Sequence, residues 1–174
     1  KKWFNYNPNF NLAINLQASN LAVVDLDNHE NATNGVQNYS KYIRNHGSSY
    51  VDSLKTYTEI TPRNGLHIFY KLNQDLGNKD IQLMPGVELL TGKTVIAPSF
   101  INEFNKGYRA EYQDFQILGY DKVQTLPGWI VDLAKEAQQR TTKPAAVYEN
   151  YQPGQKRWTG RLLDGLVHGA PKGD

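Results

Sequence analysis

The chain has no cysteine in its 174 residues. That absence excludes a disulfide scaffold and any thiolate-held zinc or iron–sulfur centre, and it fits a reducing compartment. Long apolar runs are missing as well. None approaches the roughly 20 residues that a membrane span requires, and no signal peptide opens the chain. Charge of one sign is scarce: 19 Lys and Arg against 17 Asp and Glu leave a net charge of +2, with a pI near 8.7. Affinity for nucleic acid therefore has to come from a local patch. There is no internal repeat and no low-complexity tract. The chain opens on Lys1 rather than Met, which reads as a fragment whose start lies upstream.

What is present is ordinary globular composition, with 39% hydrophobic and 21% charged residues. The length predicts one main domain with room for an appendage, burying roughly two-thirds of its unfolded surface. A basic stretch does occur. Lys135, Arg140, Lys143, Lys156, Arg157 and Arg161 stand against Glu136 and Glu149. It reads either as a solvated face or as a phosphate-attracting patch.

Trp3 to Asn11 reads as a loop. Two short apolar runs, Leu12–Leu16 and Leu21–Leu26, are parted by an Ala-Ser-Asn turn and predict a β-hairpin. Val36, Tyr39 and Ile43 recur at helical spacing, so a helix is expected over Val36–Asn45, stopped by Gly47. Tyr57–Thr61 and Leu66–Leu72 flank an Asn-Gly pair, the strongest hairpin signal in the sequence. Lys71–Asp80 is a polar connection. Val87–Leu90 and Thr94–Ala97 predict a third hairpin across Thr91-Gly92-Lys93, and Tyr108–Leu118 holds one or two further strands. Leu126-Pro127 opens a helix reaching about Arg140, with Ile130, Leu133, Ala134 and Ala137 as its apolar stripe. Residues 1–140 thus form the main domain, 141–153 has linker character, and 154–174 begins something new.

Three segments carry chemistry. In Val23-Val24-Asp25-Leu26-Asp27 the two acids share one strand face, an oxygen-rich clamp for a hard divalent cation. About one or two such spacings are expected by chance, so a solvated strand end stays open. In Pro62–Tyr70, His67 faces with Gly65 and Phe69. It is either a satisfied structural histidine or a hydrogen-bonding group for nucleotide phosphates, with Gly65 permitting close approach of a ligand. In Gly86–Gly92, Glu88 stands between apolar residues and either points to solvent or supplies a third carboxylate.

In this order the segments VVDLD at 23–27, GLH at 65–67 and GVELLTG…VIAPS at 86–99 resemble the bifunctional primase-polymerase domain of the archaeo-eukaryotic primase superfamily. The opening at Lys1–Phe4, the strand NLAINL at 11–16 and the helix start LPGWIVDL at 126–133 also look like that family. The resemblance covers Trp3 to about Arg140. Glu88 stands where Asp is usual, and Leu90 replaces a basic residue for which Lys93 is the nearest substitute. The family's upstream strand and its Pro/Lys-containing loop are absent. The tail from Trp158 looks like the start of the helical primase C-terminal domain.

The resemblance implies an α/β (α+β) fold, the archaeo-eukaryotic primase core, with a sheet related to the RNA-recognition motif and a flanking α/β module. It implies template-directed nucleotidyl transfer with two Mg²⁺ or Mn²⁺ ions on Asp25, Asp27 and Glu88. His67 would bind the β/γ-phosphates, helped by Arg63 and Lys71, with Ser99 as a further phosphate contact. Tyr70 is a candidate for sugar choice by its position alone. The implied partners are single-stranded DNA template, primer, NTP or dNTP, and a helicase domain in the same or a partner chain. The implied setting is the cytoplasm of a bacterial host, encoded by a phage or mobile element.

Two other classes stay open, the first suited by the basic stretch 135–161 and the aromatics, the second using the same carboxylates. One is a replication-initiator domain that binds DNA without making bonds, and the other is a metal-dependent nuclease. The histidine pair around an apolar residue that marks a rolling-circle relaxase is absent: no two of His29, His46, His67 and His168 are neighbours.

Overall fold

The computed structural model describes residues 9–28, 34–46, 55–111 and 123–142, all within the unit Lys1–Thr141 but for its last residue. Its architecture is mixed α/β. The main sheet has six strands in the order β10 (Arg109–Ala110), β3 (Thr58–Ile60), β4 (Leu66–Lys71), β2 (Leu21–Leu26), β6 (Val87–Leu90) and β5 (Ile81–Met84), and each pairing is antiparallel. β2 (Leu21–Leu26) lies between β4 (Leu66–Lys71) and β6 (Val87–Leu90). Its sequence LAVVDL is buried almost throughout, as a central strand must be.

Alternation along β2 sorts the molecule into two sides. Ala22, Val24 and Leu26 face a core built with Tyr39 and Ile43 of α1 (Gly35–His46) and Ile130, Val131, Ala134 and Ala137 of α2 (Gly128–Thr142). Trp129 stacks near Tyr39 and Tyr42, tying the two helices together over this side. Both helices follow their sequence signals. Asn34 caps α1 through its side-chain oxygen to the Gln37 N–H at 2.9 Å, and Arg44 and His46 complement its C-terminal dipole. The stripe expected on 126–140 is the buried face of α2.

The other side of the sheet changes character along its strands. At the Leu21 end it is apolar, where Leu21, Val23, Phe69 and Leu90 pack under Leu16, Ile14 and Ile96. Two residues further along come Asp25, His67 and Glu88.

The expected hairpin of residues 12–16 with 21–26 does not form. Gln17–Ser19 wind a 3₁₀ turn, Asn20 takes φ 51°, and Leu21 is thrown into the main sheet. β1 (Leu12–Asn15) pairs instead with β7 (Lys93–Ile96), 80 or so residues away in sequence. The expected hairpin across Thr91-Gly92-Lys93 fails for the same reason. β6 is taken by β2 and β5 (Ile81–Met84), and the chain leaves the sheet at Thr91, whose N–H bonds Asp80. The β1–β7 ribbon is what covers the apolar half of the second face.

The Asn-Gly hairpin does form, between β3 (Thr58–Ile60) and β4. It is a wider turn than the two-residue type. Thr61 and Gly65 still pair through Thr61 N–H to Gly65 O, leaving Pro62, Arg63 and Asn64 in the loop, with Asn64 at φ 61°. Gly65 is required for another reason: a Cβ there would strike the carbonyl of Leu26. The close approach foreseen at Gly65 is thus made by β2 itself and not by a ligand.

β10 (Arg109–Ala110) realises part of the strand expected after Tyr108; residues 112–122 lie outside the described residues. β5 and a small hairpin of β8 (Phe100–Ile101) with β9 (Lys106–Gly107) were not foreseen. Gly47, the opening Lys1–Phe4, and all of the linker and tail beyond Thr142 fall outside the described residues.

Candidate active site

Strand register, more than any loop, assembles the site. Asp25 lies directly opposite His67 on β4 and directly opposite Glu88 on β6. Glu59 on β3 is opposite His67, and Gln82 on β5 is opposite Glu88. Directly opposed residues share a face, with Cβ atoms about 5 Å apart. Five polar side chains thus cross five strands in one row: Glu59, His67, Asp25, Glu88 and Gln82. The row grades from buried at Glu59 and His67, through half-buried Asp25 and Glu88, to exposed Gln82. It opens to solvent at the β5 side.

Asp27 stands just past the end of β2. Its N–H bonds the Gly86 carbonyl at 2.9 Å and its carbonyl takes the Gly35 N–H at 2.7 Å. The backbone there is pinned between the β5–β6 turn and the start of α1. Gly35 has no room for a side chain, since a Cβ would land on Gly86 O. The side chain of Asp27 is close enough to perturb both Asp25 and His67.

Electrostatics mark Asp25 as the centre. Burial, then the charges of Asp27, Glu88 and Asp80, push its carboxyl up from 3.8 to about 7. Asp80 was not foreseen as part of this group; it sits before β5, a polar connection in the sequence. Burial holds His67 down from 6.5 to about 4, against an upward pull from Asp27. His67 Nε2 is 3.5 Å from Asp25 Oδ1. That separation is too long for a good hydrogen bond, and an ion pair would have moved each group the opposite way. At neutral pH the imidazole is neutral.

His67 is only 4% exposed. Tyr108 lies against its ring, with centroids 5.4 Å apart, and Phe69 meets it edge-on. Its Nδ1 is buried with no hydrogen-bond partner among the described residues. Beside it, Glu59 is 1% exposed. Glu59 Oε1 accepts from Tyr57 O–H at 2.8 Å and from the Ala97 N–H at 3.1 Å, while Oε2 has no partner among the described residues. Burial raises its pKa, with those two hydrogen bonds opposing. The sequence held a signal for Glu59, an acid two residues before the Thr-Pro turn in a β-prone run, but strand pairing was needed to put it beside His67.

The remaining residues singled out from sequence are spread more widely. Arg63 sits at the β3–β4 tip with its guanidinium 4.7 Å from the centre of the Phe104 ring. Lys71 shares a face with His67 but lies four residues on, about 13 Å along the strand. Ser99 is buried and its one hydroxyl proton is taken: the hydroxyl accepts from Leu12 N–H at 2.7 Å and donates to Leu12 O at 3.1 Å. It clasps β1 to the β7–β8 turn and has nothing left to offer a phosphate. Tyr70 is fully buried on the helix side of the sheet, away from the polar row, which removes it from any contact with a sugar.

The family comparison falls on this fold and this row together. Residues 1–129 match the model of the bifunctional DNA primase/polymerase N-terminal domain. The chain belongs to that family. The match spans every strand that supplies the row and stops within the first turn of α2. A search of curated proteins found no match. Membership makes this a primase/polymerase domain, a class that acts on DNA and nucleotides. Among the described residues of this primase-polymerase domain no helix is long and apolar enough to cross a membrane.

The donors fit a hard divalent cation. They are carboxylate oxygens, the ligand type that Mg²⁺ and Mn²⁺ take. Among the described residues no Lys or Arg forms an ion pair with Asp25. Nor is any group of three His, Asp or Glu side chains there arranged to hold an ion as it stands.

Proposed function

We propose that the domain is a template-directed nucleotidyltransferase whose polar row is its active site. Asp25, Asp27 and Glu88 would hold divalent Mg²⁺ or Mn²⁺, closing on it by side-chain rotation. The observation that carries this reading is the register Asp25↔Glu88, two acids face to face on adjacent strands with Asp27 beside them. Like charges opposed in this way are destabilising unless something neutralises them. When bound, such ions relieve charge on a triphosphate and on the attacking 3′-oxygen.

The protein's own groups then have defined tasks. Asp25 is the central ligand, opposite Glu88 and two residues from Asp27. His67, neutral, offers the unpartnered Nδ1 as a hydrogen bond to phosphate oxygen. Tyr108 shields it, so a nucleotide must displace that ring or enter beside it. A ligand approaches over Gln82 and Glu88, where the row is exposed. Arg63 at the hairpin tip supplies positive charge near the rim. The reaction forms a bond between the 3′-oxygen and the α-phosphorus and breaks the bond to pyrophosphate.

The test is synthesis on single-stranded DNA with labelled NTPs and dNTPs, each with Mg²⁺ and with Mn²⁺. Metal-dependent products of increasing length support the reading. Degradation of the DNA without use of triphosphates would assign the same carboxylates to a nuclease, and binding with neither reaction would make this an initiator domain.

A further inference from the structure

Two polar atoms of the row, Glu59 Oε2 and His67 Nδ1, are buried with no hydrogen-bond partner among the described residues. Their residues are directly opposed on β3 and β4, so they share a face with Cβ atoms about 5 Å apart. Glu59 is 1% and His67 4% exposed. A buried polar atom left bare is costly and calls for an explanation. Here two stand side by side in one row.

The hydrogen bonds of Glu59 define the kind of group that would satisfy them. Oε1 accepts twice, from the Tyr57 hydroxyl and the Ala97 N–H. Among the described residues no Lys or Arg forms an ion pair with Glu59. The titratable groups around it are Tyr57 on its own strand, His67 on β4, and Tyr108. None of the three is a cation at neutral pH, and burial favours the uncharged carboxyl. A neutral carboxyl that accepts twice at one oxygen carries its proton on the other, so Oε2 is an O–H donor. His67 Nδ1, in the tautomer that serves a phosphate, is a second donor. What the pair lacks is an oxygen that accepts.

Both donors lie under one movable cover. Tyr108 is half-buried, and its ring lies on His67. Burial, then the charges of Asp25 and Glu59, raise its hydroxyl, which sets that hydroxyl near both acids. Displacing this one side chain opens His67 and Glu59 together.

We infer that Glu59 is a second phosphate-binding residue, its Oε2–H and His67 Nδ1–H converging on an oxygen of the leaving pyrophosphate group. Glu59 is two strands from Asp25, about 10 Å by strand spacing. It therefore meets the phosphates farthest from the reacting one. That the acceptor is a phosphate rests on the nucleotidyl-transfer reading; the donor pair itself rests on register, burial and the two bonds at Oε1.

The test is calorimetric titration of the full chain in Mn²⁺ with inorganic pyrophosphate and with ATP. Glu59→Ala should weaken both roughly tenfold to a hundredfold, the range for a hydrogen bond to a charged group, and leave Mn²⁺ affinity as in wild type. Glu59→Gln has an oxygen for Tyr57 and Ala97 and an N–H for the phosphate, and should recover most of the loss. Infrared difference spectra keep the test open if the alanine variant does not fold. Pyrophosphate should shift a protonated carboxyl band in wild type, and Glu59→Gln should lack that shift. Wild-type pyrophosphate affinity in a folded Glu59→Ala overturns the inference. So does a loss of Mn²⁺ affinity as large as that for pyrophosphate, or a carboxyl band that pyrophosphate leaves in place. Pyrophosphate binding weakened by His67→Gln but not by Glu59→Ala sinks the inference and spares the nucleotidyl-transfer reading. A Glu59-dependent pyrophosphate site in a chain that incorporates no nucleotide does the reverse.

Discussion

Asp25 Oδ1 lies 3.5 Å from His67 Nε2 across β2 and β4, yet each group is driven toward its neutral form. The acid is raised by burial and by its acidic neighbours, and the imidazole is lowered by burial.

The two groups act on stability in opposite senses. Asp25, raised to about 7, contributes stability that is present below 3.8 and lost as pH rises to 7. His67, lowered to about 4, contributes stability that is present above 6.5 and lost as pH falls through 4. Between pH 4 and 6.5 they offset each other. In metal-free protein Asp25→Asn should therefore expose a rise in stability with pH over that window. His67→Gln should expose a fall, each up to about 1.4 kcal/mol per pH unit relative to wild type. Denaturant titrations in chelator read this directly, and parallel curves for all three proteins would refute the assignment.

Tyr108 is the cover on His67. Tyr108→Ala should let water reach the imidazole and move its pKa up toward 6.5, followed by NMR titration of the ring Cε1 proton. Tyr108→Phe, which keeps the ring, should leave the titration near wild type. No movement in the alanine variant would mean that burial of His67 has another source.

Glu59 is the one fully buried acid of the row. Glu59→Ala strands the Tyr57 hydroxyl and the Ala97 N–H, at a cost of about 1–3 kcal/mol for each unsatisfied group. Glu59→Gln keeps an acceptor for both and should be close to neutral or stabilising at pH 8. Its advantage over wild type should shrink as the pH is lowered toward 4.5, where burying the native carboxyl no longer costs charge. Equal losses in both variants would show that the charge itself is needed.

Gly35 holds Asp27 in place by letting α1 touch the β5–β6 turn. Gly35→Ala drives a methyl into the Gly86 carbonyl that the Asp27 N–H uses. About 1–3 kcal/mol of stability should be lost, together with part of the affinity for Mn²⁺ measured by loss of its free EPR signal. A stability loss with unchanged Mn²⁺ binding would remove Asp27 from the ligand set.

Much of this was legible from local pattern. The DLD strand end, the helices and the β3–β4 hairpin follow from alternation, spacing and turn residues. The failures share a cause. Runs 12–16 and 21–26, and 87–90 and 94–97, look like hairpins because short turns part them; only long-range competition for β2 decides that β1 joins β7. Ser99 and Gly65 read as ligand contacts because nothing local shows that Leu12 and Leu26 already occupy them. Glu59 entered no motif, since its meaning lies in the strand beside it. The meeting of Asp25, His67 and Glu88 was foreseen only through the resemblance; register supplies its geometry.

The central claim is that Asp25 and Glu88, opposed on β2 and β6, serve one catalytic cation site. It is tested most directly by Mn²⁺-dependent nucleotide incorporation on single-stranded DNA in wild type, Asp25→Asn and Glu88→Gln. Altering outer-shell partners of a metal typically costs 10- to 100-fold, so loss of either carboxylate should lower incorporation at least about a hundredfold while the fold is retained. Incorporation by either variant at the wild-type rate would contradict the account.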